Sequence, residues 1–469
     1  MIRALRWVTA VAVTLAAGAC AGSAPGPDTS GAPVFVRTSA QLVEALQPGN
    51  AGRRILVARG EYQIDRPLQV PDGATLEGEG VMAFDTDGLP AGFEPGTETV
   101  LRVIAGFTGQ VLTMGNGSTL RRLRVLDLAN SPSQPPQREG SVVYVVSRAP
   151  GDVIAASIVE CELANPNPAG FSDLGPHGHG LLVLTLNPNL GAPPEAHEGA
   201  RVSLRVQHSV VRTHTGAVVF AINFATRGDV SVSLEGNRFA GYLLATAGVS
   251  RPDPVTGSVV RIESRGNHYL RSGRDRAGWM LLGGSTSPHF PEAGNPGAAR
   301  TTLSVDSTAD HIEGFRQGIL ATAARRLGDQ SSLLMDNRVQ VKLRGTRIQS
   351  DGEGAADLVL YGAQSEIAPA KGPGAYPAGD RNVLHVTMED VTGSGPRRND
   401  YANVSGPAPL ANQGVGNRLE IAGDAASFAR SNRSIDPLPG APFFVGPATS
   451  APHPGGQRTQ PSLAGPATR

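Results

Sequence analysis

The most restrictive feature of this chain is a strand pattern that recurs along most of its length. Segments such as VSLRVQHSVVRTHTGAVVFAINF and VSVSLEGNRFAGYLLATAG begin with an alternating strand, pass through a polar turn, and end in a second strand that follows a glycine. Alternation such as Val202, Leu204 and Val206 places one face of the first strand inward with period two. The second strands follow Gly180, Gly216, Gly241, Gly278 and Gly318, at intervals of 36, 25, 37 and 40 residues. These intervals indicate one coil of a β-solenoid per repeat, with loops of variable length.

The size of the chain also favours a solenoid. Of its 469 residues, roughly four hundred precede a Pro/Gly-rich tail, which is more than one compact core normally holds. A solenoid avoids that limit because each repeat packs only on its neighbours.

The N-terminal segment VRTSAQLVEALQPGN predicts a short helix ahead of the first strands. Thr38 can cap the helix, and Gln41 can complete a capping box. Leu42, Ala45 and Leu46 share one helix face, which we expect to be buried.

The strands after this helix carry a family resemblance. A pattern G-x-Y-x-I…L-x-V…T-L-x-G-x-G is matched by Gly60, Tyr62, Ile64, Leu68, Val70, Thr75, Leu76, Gly78 and Gly80. It resembles the capped start of the pectate-lyase-like superfamily, and the resemblance covers roughly Val34 to Ala422. It implies an all-β fold, a single-stranded right-handed parallel β-helix (β-solenoid) with an N-terminal capping helix. It implies no particular reaction, because one fold hosts many functions.

The first twenty residues predict export. Arg3 and Arg6 precede the apolar run WVTAVAVTLAAGA, which is typical of a signal peptide. The tetrapeptide AGAC resembles the lipobox of bacterial lipoproteins, with Ala17 where a larger aliphatic residue is usual. The resemblance implies lipidation of Cys20 and anchoring to the bacterial membrane at the cell envelope, with plain secretion as the alternative. The predicted layout is a signal peptide over 1–19, a tether over 20–33, a β-helix domain over 34–430 and a disordered tail over 431–469.

Charge and cysteine content exclude some functions. The formal net charge is zero, so nothing suggests nucleic acid as a partner. With Cys20 lipidated, Cys161 has no partner for an internal disulfide, and we expect it to be a buried core residue.

Polar residues beside the aligned glycines form the predicted ligand site. In β-helix proteins that act on polysaccharides, the sugar chain usually lies across stacked strands, so equivalent positions of successive coils form rows. The candidates for binding hydroxyl-rich or anionic sugars are His177, His179, His214, Arg238, Asp275, Arg276, Arg316 and Gln317, with Asn187 and Asn223 as a predicted asparagine ladder.

The motif Gly178-His179-Gly180 matches the GHG of the polygalacturonase family, but the rest of that family's pattern is missing. The sequence has no NTD and no DD, and Arg261-Ile262-Glu263 only approximates the downstream RIK. An inverting hydrolase needs two carboxylates, and only Asp173 is close in sequence. The match is therefore interpreted as coincidence.

Metal and lyase chemistry also lack a complete motif. His177 and His179 have Asp173 as the sole obvious third ligand, so no metal site is predicted. No cluster of three acids and no RxPxxR of the pectate lyases occurs, so Ca²⁺ would be a cofactor only if the protein were a lyase. Lys342-Leu343-Arg344 resembles the Lys/Arg pair of alginate and chondroitin lyases, but there the pair comes from different coils.

The second strands, such as GLLVLTL and GAVVFAINF, are apolar on both faces. A solenoid wall needs only one apolar face, so we expect loops, the C-terminal segment or a partner to cover the outer one. Trp279 and Tyr242 are expected to pack rather than to stack on sugars.

Three functions remain open at this stage. The leading hypothesis is an exported, lipid-anchored protein that binds polysaccharide at the cell envelope, without a demonstrable active site. The alternatives are a polysaccharide lyase or glycoside hydrolase with an unrecognised active site, and a structural or adhesive surface protein that acts through protein contacts.

Overall fold

The computed structural model describes most of the predicted β-helix domain. The described residues are 31–104, 107, 109–127, 140–165, 178–185, 198–250, 255–273, 277–286, 297–326, 334–365, 379–393, 399–405, 416–423 and 444–445. Cys20 and the predicted signal peptide lie outside them, as do most of the predicted tail and several loops. Among the described residues, no helix has the length and apolar character needed to cross a membrane.

Most of the described residues lie in β-strands, with one α-helix (α1, Ser39–Ala45) and one 3₁₀ turn (Pro48–Asn50). The first strands are β1 (Val34–Val36), β2 (Arg54–Val57), β3 (Gly60–Ile64), β4 (Leu68–Val70), β5 (Thr75–Gly78), β6 (Met82–Phe84), β7 (Pro90–Phe93), β8 (Thr99–Val103), β9 (Leu112–Met114), β10 (Ser118–Arg121), β11 (Arg124–Leu126), β12 (Ser141–Val146), β13 (Val153–Val159), β14 (Glu162–Asn165), β15 (His179–Leu184), β16 (Arg201–Gln207) and β17 (Val210–Ile222). The remaining strands are β18 (Asp229–Glu235), β19 (Arg238–Ser250), β20 (Val255–Thr256), β21 (Val259–Arg265), β22 (His268–Leu270), β23 (Ala277–Thr286), β24 (Ala298–Ala299), β25 (Thr302–Thr308), β26 (His311–Glu313), β27 (Gln317–Arg326), β28 (Arg338–Arg344), β29 (Arg347–Gln349), β30 (Ala356–Ser365), β31 (Val383–Glu389), β32 (Asp400–Ser405), β33 (Arg418–Gly423) and β34 (Phe444–Val445).

These strands stack in parallel into three faces of a coil. Face 1 is a 13-stranded sheet of β1, β2, β5, β10, β13, β16, β18, β21, β25, β28, β31, β33 and β34. Face 2 contains β3, β8, β11, β14, the first parts of β17 and β19, then β22, β26 and β29. Face 3 contains β4, β9, β12, β15, the later parts of β17 and β19, then β23, β27, β30 and β32. The parallel β-helix class is therefore confirmed.

The core runs along the inside of the coil. Val202, Leu204 and Val206 of β16 are at most 2 % exposed, as the period-two pattern predicted, while the residues between them face outward. Each inward residue pairs with its equivalent in the next coil, so Leu204 lies beside Val232. Cys161 is fully buried, as predicted, and this burial raises the pKa of its thiol to about 12.

The predicted N-terminal helix is confirmed, with one change in its cap. Thr38 Oγ1 accepts a hydrogen bond from the Gln41 N–H at 3.2 Å. The Gln41 side chain accepts from the N–H of Arg37, one residue before the cap, rather than from Thr38 itself. Leu42 and Ala45 are buried and join the core that lies under face 1.

Amide side chains in the turns join neighbouring coils. Between faces 1 and 2, Asn237 and Asn267 each use the side-chain nitrogen to donate to a backbone carbonyl of face 1, that of Val206 or Leu234. The side-chain oxygen of Asn267 in turn accepts from the N–H of Asn237 at 2.8 Å. Each asparagine therefore satisfies buried polar groups of the coil before it.

A second row of amides lies just before the face 1 strands. The side-chain oxygen of Asn382 accepts from the backbone and the side chain of Asn337, and Asn417 does the same for Asn382. Both rows lie on the inner side of turns, because these side chains are at most 5 % exposed.

Face 1 continues past β33 through a two-residue strand. Phe444 and Val445 pair with Ile421 and Ala422. They pair with the last edge of face 1, whose N–H and C=O groups can accept another strand. They belong to the segment 431–469, for which disorder stays a prediction.

Candidate functional site

The outer side of face 3 is closed. Its outward positions form two apolar rows that pack into clusters separate from the main core. The buried members of these rows are 1–6 % exposed and include Tyr144, Val146, Leu182, Leu184, Ile222, Leu320, Val359 and Tyr361. Phe220, Leu244 and Met280, in the same row, are partly buried. Most of the described outward positions of the second strands are therefore covered, as predicted.

The outer side of face 1 is polar, and many of its charges are paired with each other. Examples are Arg261 with Asp229 and His385 with Glu420, the latter at 3.1 Å. Small side chains leave one shallow depression of about 300 Å³, lined by Ser157, Ser203, Ser231 and Ser233 with Arg205, Arg261 and Glu263 at its sides.

A β-hairpin formed by β6 and β7 lies over part of face 2. Asp85, at the end of β6, forms an ion pair with Arg238 of β19, and the ring of Phe84 meets His208 edge-on with centroids 6.0 Å apart. The hairpin is antiparallel, unlike the coil. The hairpin therefore forms a wall beside Arg238, at one end of the part of face 2 that runs from β19 to β29.

The turn of this hairpin orients the wall carboxylate. One oxygen of Asp85 accepts from the N–H groups of Asp87 and Leu89, at 2.9 and 3.0 Å. The Leu89 hydrogen bond is the main reason that the pKa of Asp85 lies below its usual value, and Asp87 and Arg238 act in the same direction. Asp85 is therefore a carboxylate at neutral pH.

Beyond the wall, face 2 carries a row of polar side chains that we name the polar ladder. Its outer row pairs residue by residue in the order Arg238, His268, His311, Arg347. A second outward row, two residues further along each strand, contains Ala240, Leu270, Glu313 and Gln349. Because consecutive strands are about 4.8 Å apart, the ladder presents one ring or guanidinium per coil.

The centre of the ladder is a cluster of two histidines and a glutamate. His268 Nε2 lies 3.0 Å from Glu313 Oε2, and His311 Nε2 lies 3.7 Å from the same oxygen. The two imidazole rings are stacked, with centroids 4.5 Å apart and planes inclined by 2°. The side chains of His268, His311 and Glu313 are 18, 27 and 43 % exposed.

Burial and neighbouring side chains determine the charge of His268, and Gln349 determines the hydrogen bonding of His311. Burial lowers the pKa of His268, and His311 and Arg238 act in the same direction, while Glu313 opposes the shift. His268 is therefore neutral at pH 7. The Gln349 amide lies 2.9 Å from His311 Nε2, and when its nitrogen faces that ring, its oxygen accepts from Arg347 at 2.7 Å.

The ladder therefore offers donors and acceptors on one partly exposed surface. Its planar Arg and His groups can bind hydroxyl or carboxylate oxygens, and Glu313 and Gln349 can accept from hydroxyls. Among the described residues of its two rows, Glu313 is the single carboxylate. A hydrolysis that needs two facing carboxylates therefore has no pair in these rows.

The sequence-predicted candidates are distributed over several parts of the fold. Arg238 lies in the ladder. Arg316 and Gln317 lie at the corner just after Glu313, where Arg316 is exposed. His214 is partly exposed between the two parts of β17. His177, Asn187, Asp275 and Arg276 lie outside the described residues.

His179 and Asn223 have structural contacts instead of an open surface. His179 is 4 % exposed, and its Nδ1 accepts from the N–H of Ala217 at 3.1 Å. Asn223 is fully buried and donates to the carbonyl of Val259 at 3.0 Å. Whether either residue contacts a ligand stays a prediction, but neither belongs to the ladder.

The predicted coil register is wrong between Gly180 and Gly216. Leu181 pairs with Val219 and Leu184 with Ile222, so the two glycines are offset by two residues. Asn223 accepts from the hydroxyl of Thr185, the residue beside it in the preceding coil. Its predicted ladder partner Asn187 lies outside the described residues, so the Asn187–Asn223 ladder stays a prediction. In its pairing with the following strand β19, β17 is irregular between Arg212 and Val219.

Sequence reasoning missed His268, His311, Glu313, Arg347 and Gln349. A usable signal was present, because each outer ladder residue directly follows a buried turn residue. These pairs are Asn237-Arg238, Asn267-His268, Asp310-His311 and Thr346-Arg347. Aligning the coils on these turn residues, rather than on the glycines, would have placed the four ladder residues in one row.

Comparisons with known proteins add little to this geometry. No family model matches the chain, and no curated protein matches it. One similar solved structure is the catalytic unit of a thermostable GH87 alpha-1,3-glucanase from Streptomyces thermodiastaticus strain HF3-3. The two share 14 % identity, with 87 % of this chain and 70 % of that chain covered and a TM-score of 0.27. At that TM-score the likeness supports no conclusion about activity, and the fold assignment rests on the strand register itself.

Proposed function

We propose that this protein binds a polysaccharide chain lengthwise along the polar ladder of face 2. The observation that carries the proposal is the row Arg238, His268, His311, Arg347, which repeats a planar polar side chain once per coil. A spacing of about 4.8 Å between strands is comparable with the length of one sugar residue. Successive sugars can therefore meet equivalent hydrogen-bonding groups.

The surroundings of the ladder support an extended ligand. The hairpin wall bounds one end through Asp85, and the second row adds the small or apolar side chains of Ala240 and Leu270 before the polar Glu313 and Gln349. Charges of both signs suit a hydroxyl-rich chain, which both donates and accepts hydrogen bonds.

The serine-lined depression of face 1 is the competing surface. Its flanking Arg261 is already paired with Asp229, so a ligand there must compete with an existing ion pair. In the ladder, Arg238 is likewise paired, with Asp85, but Arg347 at the other end is exposed and its amide partner Gln349 is neutral. Face 2 is therefore the better binding surface.

The test is gel retardation of the purified mature chain on a panel of plant, algal and bacterial polysaccharides. For a retained polysaccharide, Arg347→Ala should weaken binding about tenfold, the effect of losing roughly one charge-assisted hydrogen bond. The matched control Arg261→Ala removes an arginine from face 1 and should bind like the wild type. If Arg261→Ala weakens binding and Arg347→Ala does not, the binding site lies on face 1.

The same incubations distinguish binding from catalysis. New reducing ends, or the ultraviolet absorbance of unsaturated uronates, would show a glycoside hydrolase or a polysaccharide lyase and would overturn the proposal of a binding protein. Absence of both retardation and cleavage across the panel would favour a surface protein that acts through protein contacts.

We also propose that the protein acts at the bacterial cell envelope, exported and anchored through a lipid on Cys20. The support is the sequence alone: two arginines, an apolar run and the AGAC tetrapeptide.

A further inference from the structure

We propose that His268, His311 and Glu313 form a binding site for a transition-metal dication of the Zn²⁺ class. Their candidate ligand atoms, two imidazole nitrogens and a carboxylate oxygen, all lie within 4.8 Å of one another. The shortest separation, between His268 Nε2 and Glu313 Oε2, is 3.0 Å. The inference is independent of the glycan proposal, because it needs no sugar and no other residue of the ladder.

The strand register holds the three ligands together. His268 and His311 face each other across the pair β22–β26. Glu313 follows His311 by two residues, and side chains two apart on a strand point to the same side. The intervening Tyr269 and Ile312 are fully buried in the core. The ligands therefore come from core-anchored strands rather than from a loop.

The donor set selects the class of metal. Two imidazoles and one carboxylate suit Zn²⁺, and Co²⁺, Ni²⁺ and Cu²⁺ accept the same donors. Mg²⁺ and Ca²⁺ prefer sites made of oxygen ligands. Three protein ligands on a partly exposed surface leave a fourth position open to water or another ligand, as in catalytic zinc sites.

Binding requires one imidazole to turn. A metal must lie close to the plane of each ring that binds it, whereas the rings of His268 and His311 are parallel, with centroids 4.5 Å apart. Because parallel planes do not intersect, no metal can lie in both ring planes at once. One ring must rotate about its Cβ–Cγ bond before both lone pairs can point to a common metal, which ends the ring stacking. Metal binding also replaces the Glu313 contact of His268 and the Gln349 contact of His311. Loss of stacking is therefore a signature of the metal-bound form.

The test uses the full mature chain after treatment with EDTA. Zn²⁺ is titrated by calorimetry, and Co²⁺ is titrated by visible absorption, with Mg²⁺ in excess to suppress weak binding to surface carboxylates. We expect one specific Zn²⁺ per chain. His268→Ala and His311→Ala should each weaken it by at least about tenfold, and Glu313→Gln should weaken it in the same direction.

The matched control is His385→Ala. His385 also contacts a glutamate across neighbouring strands, Glu420 at 3.1 Å, but on face 1, and it should leave the affinity unchanged. Failure of the wild type to bind Zn²⁺ or Co²⁺, or equal binding by the His268 and His311 variants, would overturn the proposal. If these variants do not fold, the test uses the imidazole NMR signals of His268 and His311 in the wild-type protein. These signals should shift on addition of Zn²⁺, and the absence of a shift would overturn the proposal.

Discussion

At the scale of single residues, Asp310 shows the effect of placing a carboxylate where neighbouring coils have a side-chain amide. It lies in the turn row where the neighbouring coils place Asn237 and Asn267. Its Oδ1 accepts from the N–H of Asn267 at 2.8 Å, and its Oδ2 accepts from the hydroxyl of Ser307 at 2.7 Å. Burial raises its pKa to about 6 despite these hydrogen bonds. A buried charge is therefore present at neutral pH where an amide would carry none.

Replacing this carboxylate by an amide should stabilise the protein above pH ~6. The folded state of the wild type retains a proton on Asp310 up to pH about 6, whereas the unfolded chain releases it near 3.8. Stability of the wild type therefore falls as the pH rises between these values and then stays lower. Asp310→Asn should lack this fall in stability. Above pH ~6, its free energy of unfolding should therefore exceed that of the wild type by about 1–3 kcal/mol.

Urea unfolding of both proteins in EDTA, at pH ~4 and ~7.5, measures this difference. The variant should be more stable than the wild type at the higher pH, and the two should converge at the lower pH. An equal difference at both values would mean that the proton on Asp310 is not the cause.

At the scale of structural elements, the alternating strands and the helix cap were predictable because burial determines them locally. Val202, Leu204 and Val206 face inward for the reason that the sequence pattern suggests. The pairing of coils was less predictable, because Gly216 lies two residues before the position that pairs with Gly180, and β17 pairs irregularly with β19. Local periodicity contains no information about such an offset.

The candidate site was missed for the same reason. His268 and His311 are 43 residues apart, and the loop between them differs in length from those of other coils, so only the stacked register brings their rings together. The buried turn residues before them are better markers of register than the glycines. An amide there bonds to the next coil, whereas glycines recur at several places in each coil.

The amide row before face 1 should be important for stability. Asn382 accepts from the backbone and side chain of Asn337, and its own side chain donates to the carbonyl of Leu334 at 3.0 Å. Asn382→Ala leaves the buried N–H of Asn337 without its partner and removes two further hydrogen bonds, so it should cost about 2–4 kcal/mol. Gln340→Ala, at an exposed outward position of β28, should change stability by less than about 0.5 kcal/mol.

Denaturant unfolding of the two variants compares them directly. Similar midpoints for Asn382→Ala and Gln340→Ala would show that the row does not stabilise the stack of coils.

At the scale of the whole molecule, three faces differ in what they offer to solvent. Face 3 is covered by packing, face 1 carries paired charges, and the open end of face 2 carries the polar ladder. A protein with this distribution can lie with its long axis along a polymer, presenting one face to it. Attachment at the N-terminal end would leave that face free.

The proposed attachment is tested by Cys20→Ser. In a bacterial host that processes lipoproteins, the wild-type chain should fractionate with membranes and incorporate labelled fatty acid. The variant should appear in the soluble extracytoplasmic fraction without label, because one thioether-linked lipid provides the anchor. Soluble, unlabelled wild-type protein would instead support plain secretion.

The contact between Asp85 and Arg238 has a mechanical consequence for the solenoid. Contacts between adjacent coils join residues 30 or 43 positions apart, as for Asn237 with Asn267 and Asn267 with Asp310. The hairpin contact joins residues 153 positions apart. A stack held only by neighbours can peel open one coil at a time from either end. The hairpin contact instead links coils that are not neighbours, so separating the coil of Asp85 from that of Arg238 also breaks this ion pair. The polar ladder begins at the coil where this contact lies.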